Sequence, residues 1–154
     1  MGQDSHRFSS DPTRKLVLGG VVVAQVPGLE GNSDADVVLH ALCRALEQAI
    51  GTDLFSQYAD EMSQRGVQDS RIYVQVARTH VRDAGYRVNN VGVTIEALRP
   101  KIDPIRHDMK RSIAGLLGIT ERDVGINATT GENMTPFGKG EGIQAFAIVS
   151  LSPR

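Results

Sequence analysis

The sequence predicts an α+β fold, a mixed β-sheet with three helices packed on one face. Three stretches carry apolar residues at helical spacing between clear start and stop signals, and several shorter runs alternate or are continuously β-branched. The links between them mix hairpin-length turns with crossovers long enough for a helix, which belongs to neither a purely parallel nor a purely antiparallel sheet. At 154 residues the chain reads as one domain, residues 1–154, large enough to bury a sizeable core.

Gly2 to Phe8 reads as a short strand and Ser9-Ser10-Asp11-Pro12 as a turn, followed by strands at Leu16–Leu18 and Val21–Val23 bent at Gly19-Gly20. After Pro27-Gly28, Gly31-Asn32-Ser33 leads into a helix from about Asp34 to Ile50, whose Val37, Val38, Ala41, Leu42, Ala45 and Leu46 share one face. Ser33, three residues before Asp36, predicts the cap and hence an outward-facing helix start that attracts anions. Gly51 to Gly66 reads as an irregular polar loop, of a length more often functional than inert. Asp69-Ser70 caps a second helix to about Asp83, ended by Gly85, and Arg87 to Leu98 alternates as a half-buried strand. A third helix runs from Ile105 to Leu117 and stops at Gly118. Val124–Ala128 and Ile143–Leu151 are the last strands, flanking the glycine-rich segment Thr129–Gly142.

Composition excludes several function classes. The formal net charge is −1 with both signs interleaved, so no basic surface for nucleic acid or an anionic membrane is expected. The longest uncharged apolar stretch, Leu16–Leu29, is interrupted by Gly19-Gly20, Gln25 and Pro27, which argues strand and turn rather than a membrane span. The lone Cys43 has no partner for an internal disulfide and no signal-peptide pattern precedes the first strand, so a cytoplasmic setting is expected.

Two segments carry chemistry. On a strand, Asp4 and His6 share a face and can grip one divalent cation; His40 offers a third ligand from the first helix, about 10 Å along the axis from its start at Ser33. Three ligands from two elements leave a position open, as a catalytic zinc requires. Asp36, one turn before His40, is placed to hold the ring's second nitrogen. The plain alternative is a surface pair on an edge strand and an unrelated histidine. Cys43, three residues after His40, reads as a small core residue rather than a fourth ligand. In the second segment, Thr129, Thr130 and Glu132 either form an ordinary strand-end turn or bind phosphate oxygens and a second divalent ion. Gly138-Lys139-Gly140 is not a nucleotide loop, since no glycine stands five residues before Gly138 and Gly140 occupies the place of the Ser or Thr. Lys101, near Pro100 and Pro104, is either a solvated loop charge or the border of a ligand pocket.

The order D-x-H, S-D-x-D-x-x-x-H-A-L, a D-S-capped helix, E-A-x-x-P-K, A-T-T-x-E and G-x-G-E-G-I resembles the 2-C-methyl-D-erythritol 2,4-cyclodiphosphate synthase family over nearly the whole chain. The resemblance implies a homotrimer with active sites between subunits. It also implies conversion of 4-diphosphocytidyl-2-C-methyl-D-erythritol 2-phosphate to the cyclic diphosphate and CMP, in non-mevalonate isoprenoid biosynthesis. Carried onto this chain, it implies zinc on Asp4, His6 and His40, with Ser5 in the same substrate-binding strand, and magnesium or manganese on Glu132 with the substrate diphosphate. Ser33, Thr129 and Thr130 would contact phosphates, with Thr130 and Asn32 as catalytic residues. Ala97, Pro100, Lys101 and Asp103 would form the cytosine pocket, Asp53 would meet the ribose, and Tyr58, Asp60 and Met62 would cover the methylerythritol end. Lys139 and Glu141 match the charged pair near the trimer axis, where the family can hold an isoprenoid diphosphate.

The departures are specific. Asn32 replaces the family's histidine, so a hydrogen bond to phosphate loses its positive charge. Asp53-Leu54-Phe55 stands for D-I-G, which bears on the ribose contact, and Tyr58-Ala59-Asp60 stands for F-P-D. Lys139 replaces an arginine and with it bidentate phosphate binding. The residues that usually lead into the first strand are missing, as from a truncated start. Two other functions are compatible with these motifs: a trimer that binds metal and isoprenoid diphosphate without turnover, and a metal-dependent phosphohydrolase.

Overall fold

A computed structural model describes all 154 residues. Strands β1 (Gly2–Arg7), β4 (Tyr86–Glu96), β5 (Val124–Thr129) and β6 (Gly142–Pro153) form one sheet in the order β1-β6-β4-β5. β6 lies antiparallel between β1 and β4, whereas β4 and β5 are parallel. Strands β2 (Lys15–Leu18) and β3 (Val21–Pro27) make a separate hairpin turning at Gly19-Gly20. The helices are α1 (Val37–Ala49), α2 (Phe55–Gln64), α3 (Ser70–Asp83) and α4 (Arg106–Leu117).

The sheet is mixed and the class α+β, but there are four helices, not three. The segment read as an irregular loop contains α2. Phe55, Tyr58, Ala59 and Met62 fall at i, i+3, i+4 and i+7 and pack against the core. Its polar face outweighs this stripe, and Leu54 makes no side-chain cap, so the usual start signal is missing.

Residues of period two on β4 and β6 (Val91, Val93, Ile95; Ile143, Ala145, Ala147) are buried. They contribute to one cluster of 32 buried residues that includes the apolar stripes of α1, α3 and α4. On the opposite face Gly92, Thr94, Phe146 and Ile148 line a shallow apolar depression, and Ile148 is 61% exposed. α4 is the crossover of the parallel β4–α4–β5 unit and ends on Gly118 in the left-handed conformation, as its glycine predicts.

One close approach fixes the site. A Cβ on Gly2 would collide with the Ala41 carbonyl, so only glycine lets the start of β1 lie against α1. That contact brings the strand carrying Asp4 and His6 beside the helix carrying His40. No helix is long and apolar enough to cross a membrane.

Candidate active site and metal centre

The N-cap of α1 is Asp36, whose side chain accepts from Leu39 N at 3.0 Å. The start expected at Ser33 therefore lies a turn too early; the one backbone N–H that Ser33 Oγ accepts is that of Ala35, ahead of the helix. His40 consequently sits in the first turn of the helix rather than two turns in, and shares a cavity with Asn32 and Ser33.

Three ligand atoms converge there. His6 Nε2 and His40 Nδ1 lie 2.8 and 3.1 Å from Asp4 Oδ2, and 3.3 Å from each other. Donors on a tetrahedral zinc with bonds of about 2.0–2.1 Å stand roughly 3.3 Å apart, so two imidazoles and one carboxylate fit that ion in both number and spacing. Burial is the largest influence on Asp4 and would raise its pKa, but the hydrogen bonds and charges of His40 and His6 together outweigh it and hold the carboxyl well below the usual range. An ionised carboxylate is what a cation needs there.

The outer partners of His40 differ from expectation. Asp36 does not reach the ring: its carboxylate accepts from Leu39, Gly19 and Gly20 N–H groups. The second ring nitrogen, Nε2, meets Ser70 Oγ at 2.9 Å and Ser33 Oγ at 3.3 Å. The Ser70 hydroxyl donates to Asp34 Oδ1, and Asp34 Oδ2 accepts from Ser70 N at 3.1 Å. With Nδ1 on the metal, Nε2 carries the proton and donates to Ser70, giving a carboxylate–serine–histidine chain that fixes the ring's tautomer. Ser70→Ala is expected to weaken zinc binding by about 10–100-fold with the trace of secondary structure unchanged, measured by competition with a chromophoric chelator; unchanged affinity would remove Ser70 from this role.

Arg44, one turn beyond His40, was not singled out from the sequence. Its guanidinium lies 4.9 Å from the Phe55 ring centroid and its Nε is 3.8 Å from Asp4 Oδ1, buried without a hydrogen-bond partner. Phe55 is 4% exposed and packs on His40, ring centroids 5.2 Å apart. The aromatic that replaces glycine thus forms a wall of the metal cavity. Asp60 lines the same cavity from α2, whereas Tyr58 and Met62 turn to the core. The Tyr58 hydroxyl is buried beside Cys43 without a hydrogen-bond partner, and burial drives both groups toward their neutral forms. Cys43 is fully buried and absent from the cluster of possible ligands.

Ala97, Pro100, Lys101, Asp103, Thr129 and Thr130 line a second cavity of about 160 Å³ at the end of β4 and β5. The Arg99–Pro100 bond is cis. Thr129 Oγ1 accepts from Gly131 N at 2.9 Å, and Glu132 is exposed in the left-handed region at φ 53°. None of these residues lines the cavity of the metal ligands. Asp53 lines neither, and Ser5 lines another depression, which His6 also borders. Lys139 is exposed; Glu141 instead pairs with Arg7 at 3.3 Å, a partner the sequence did not indicate.

The YgbB family pattern matches residues 1–152. The 2-C-methyl-D-erythritol 2,4-cyclodiphosphate synthase of Chlamydia caviae is 38% identical over 154 residues, covering 99% of this chain and 87% of its own length. The Chlamydia felis protein of that name is 39% identical over 153 residues, covering 98% and 86%. Among solved structures, IspF of Plasmodium falciparum in a CDP complex superimposes with a TM-score of 0.85 at 27% identity, covering 99% of this chain and 94% of the other. A 2C-methyl-D-erythritol-2,4-cyclodiphosphate synthase in its CDP-bound form reaches 0.86 at 27% identity, covering 98% and 97%.

Proposed function

This chain belongs to the YgbB family, whose relatives are 2-C-methyl-D-erythritol 2,4-cyclodiphosphate synthases, and from that membership we propose how its own residues perform the ring closure. In the reaction the 2-phosphate of 4-diphosphocytidyl-2-C-methyl-D-erythritol 2-phosphate attacks the β-phosphorus and CMP leaves. The nucleophile belongs to the substrate, so the protein needs no activated serine or cysteine. Its tasks are in-line positioning and charge neutralisation. The observation that carries this reading is the closure of Asp4 and His6 on β1 with His40 in the first turn of α1, to 2.8–3.3 Å.

Asp4, His6 and His40 would hold zinc, and Glu132, an exposed carboxylate beside Thr130, would hold magnesium or manganese together with substrate phosphates. The ions supply Lewis-acid stabilisation of phosphate charge when bound. The protein's own groups do the rest. Ser33, ahead of α1, faces the phosphates from one side, and Asn32 donates an amide N–H where the family has histidine. The Thr129 and Thr130 hydroxyls bind phosphate oxygens from the other side, and Ala97, Pro100, Lys101 and Asp103 enclose the cytosine. Asp53 meets the ribose; Asp60, with Tyr58 and Met62 supporting its helix, covers the methylerythritol end.

Two separate half-sites on one chain favour a homotrimer in which the cytosine cavity of one subunit completes the metal cavity of the next. The apolar outer sheet face, with Phe146 and the exposed Ile148, is the surface such an assembly would cover. Lys139 and the Arg7–Glu141 pair would ring the axial opening, where an isoprenoid diphosphate could be held. A cytoplasmic location completes the reading.

Phosphorus NMR of the zinc- and manganese-loaded protein with the cytidyl substrate tests it. Cyclic diphosphate with CMP is the expected result; open-chain phosphates would establish a phosphohydrolase, and unchanged substrate over a metal-loaded trimer a binding protein. Asn32→His is expected to raise kcat about tenfold, because a charged donor to phosphate is worth roughly 1–2 kcal/mol more than a neutral one. A steady-state comparison at fixed metal that shows no gain would mean that Asn32 makes no phosphate contact in the transition state.

A further inference from the structure

The largest cavity, about 620 Å³, lies far from the metal centre, between the C-terminal halves of α3 and α4 and the start of β4. Since β4 runs 11 residues from Tyr86 to Glu96, the groove and the cytosine half-site stand at opposite ends of a strand roughly 33 Å long. Four arginines line it, Arg78, Arg82, Arg87 and Arg154. Only Arg82 is paired, with Asp83 at 2.9 Å. Elsewhere on the surface, Arg7, Arg71, Arg106 and Arg111 each stand beside a carboxylate, whereas Arg65, Arg99 and Arg122 are single unpaired charges not gathered around one concavity. Asp83 offsets part of the charge, and the groove remains net positive.

Two of the unpaired guanidiniums, those of Arg78 and Arg87, are held by neutral groups. Arg78 Nη1 donates to the Leu116 carbonyl at 3.1 Å, which satisfies one acceptor at the end of α4 and leaves its other N–H groups free. Gly118 gives this side chain its room, since a Cβ there would collide with Arg78 Nη2. Arg87 Nε donates to Ser152 Oγ at 3.1 Å, and the Arg154 main chain is tied to the Gly85 carbonyl at 3.0 Å. Fixing like charges around one concavity without carboxylates is unfavourable on its own, and an anion bearing several oxygens relieves it. Val81, Val88, Leu117 and the 40%-exposed Tyr86 give the groove an apolar wall, so its lining is that of a small-molecule pocket with a charged end.

We propose that this groove is a second ligand site, for a small anion carrying a polyphosphate group, recognised by Arg78, Arg87 and Arg154. It lies apart from the residues that line the apolar depression of the sheet and does not depend on the catalytic reading. Free polyphosphate and nucleoside triphosphate share the recognised group, and both serve as probes. Calorimetric titration of the zinc-loaded protein, with excess cytidine, which carries no phosphate, to occupy the cytosine cavity, is carried out with inorganic triphosphate and separately with ATP. Saturable binding of either probe is expected, weakening with salt and falling about tenfold or more in an Arg78→Gln/Arg87→Gln double variant. Arg154→Gln, a surface change, is expected to lose affinity severalfold and reads the same site should the double variant misfold. Absence of saturable binding at millimolar probe, or equal affinity in the variants, overturns the proposal.

Discussion

His40→Ala is expected to abolish stoichiometric zinc binding and to lower turnover by about 10³-fold or more. The imidazole supplies one of three ligand atoms, and a site left with Asp4 and His6 no longer encloses the ion. Several kcal/mol of phosphate-charge stabilisation depend on that cation, which sets the size of the effect. The ring also fills the space between Phe55 and Tyr73, at centroid distances of 5.2 and 6.2 Å, so its loss loosens the roof of the cavity. Metal analysis of the purified variant, beside single-turnover kinetics of CMP release, separates the two effects. His40→Gln, closer in volume, should restore packing but neither metal nor turnover. Near-normal CMP release by either variant with no bound metal would refute a role for the triad in chemistry.

Much of this site was legible because its signals are local. Asp4 and His6 share a face by the period of a strand, and Asp69 and Gly118 mark helix ends within a residue of where they fall. The start of α1 was harder, because Ser33 and Asp36 both resemble caps. What decides between them is non-local: Asp36 also receives the Gly19 and Gly20 N–H groups of the β2–β3 turn, and burying its carboxylate there anchors the helix three residues later. The same placement removes Asp36 from the His40 ring. The Ser70–Asp34 chain that replaces it joins residues 30 and 36 positions apart, beyond any spacing rule. Arg44 did leave a trace, four residues after His40 on the same helical face, but a charged residue there also fits plain solvent exposure.

The two half-sites show a different limit. Their residues could be assigned through the family resemblance, but nothing in the order of the chain says that Thr130 and His40 line different cavities. That separation follows from the sheet order: β1, with Asp4 and His6, occupies one edge and β5, leading to Thr129 and Thr130, the other. A short crossover through α4 forces β5 to the far side of β4. The residues proposed for cytosine thus share an end with β5 rather than with Asp4, His6 and His40.

Asp36→Ala is expected to lower stability by about 3 kcal/mol or more, a fall in Tm of roughly 10 °C for a chain of this size. The cap on Leu39 accounts for about 1 kcal/mol, and the Gly19 and Gly20 N–H groups left without an acceptor account for the rest. The carboxylate is fully buried, and burial pushes its pKa up from 3.8 to about 6 against the N–H bonds that favour its charge. The folded state therefore holds this proton more tightly than the unfolded one. The contribution from Asp36 is complete below pH 3.8 and declines as pH rises through about 6. Asp36→Asn cannot titrate, so the stability advantage of the unmodified protein over this variant should be larger at pH 4.5 than at pH 7. Effects of Asp4 and the histidines are common to both proteins and cancel in the difference. Denaturant titrations at the two pH values, both without metal, measure it directly; a difference independent of pH would mean that Asp36 stays ionised throughout and that the three N–H groups outweigh its burial.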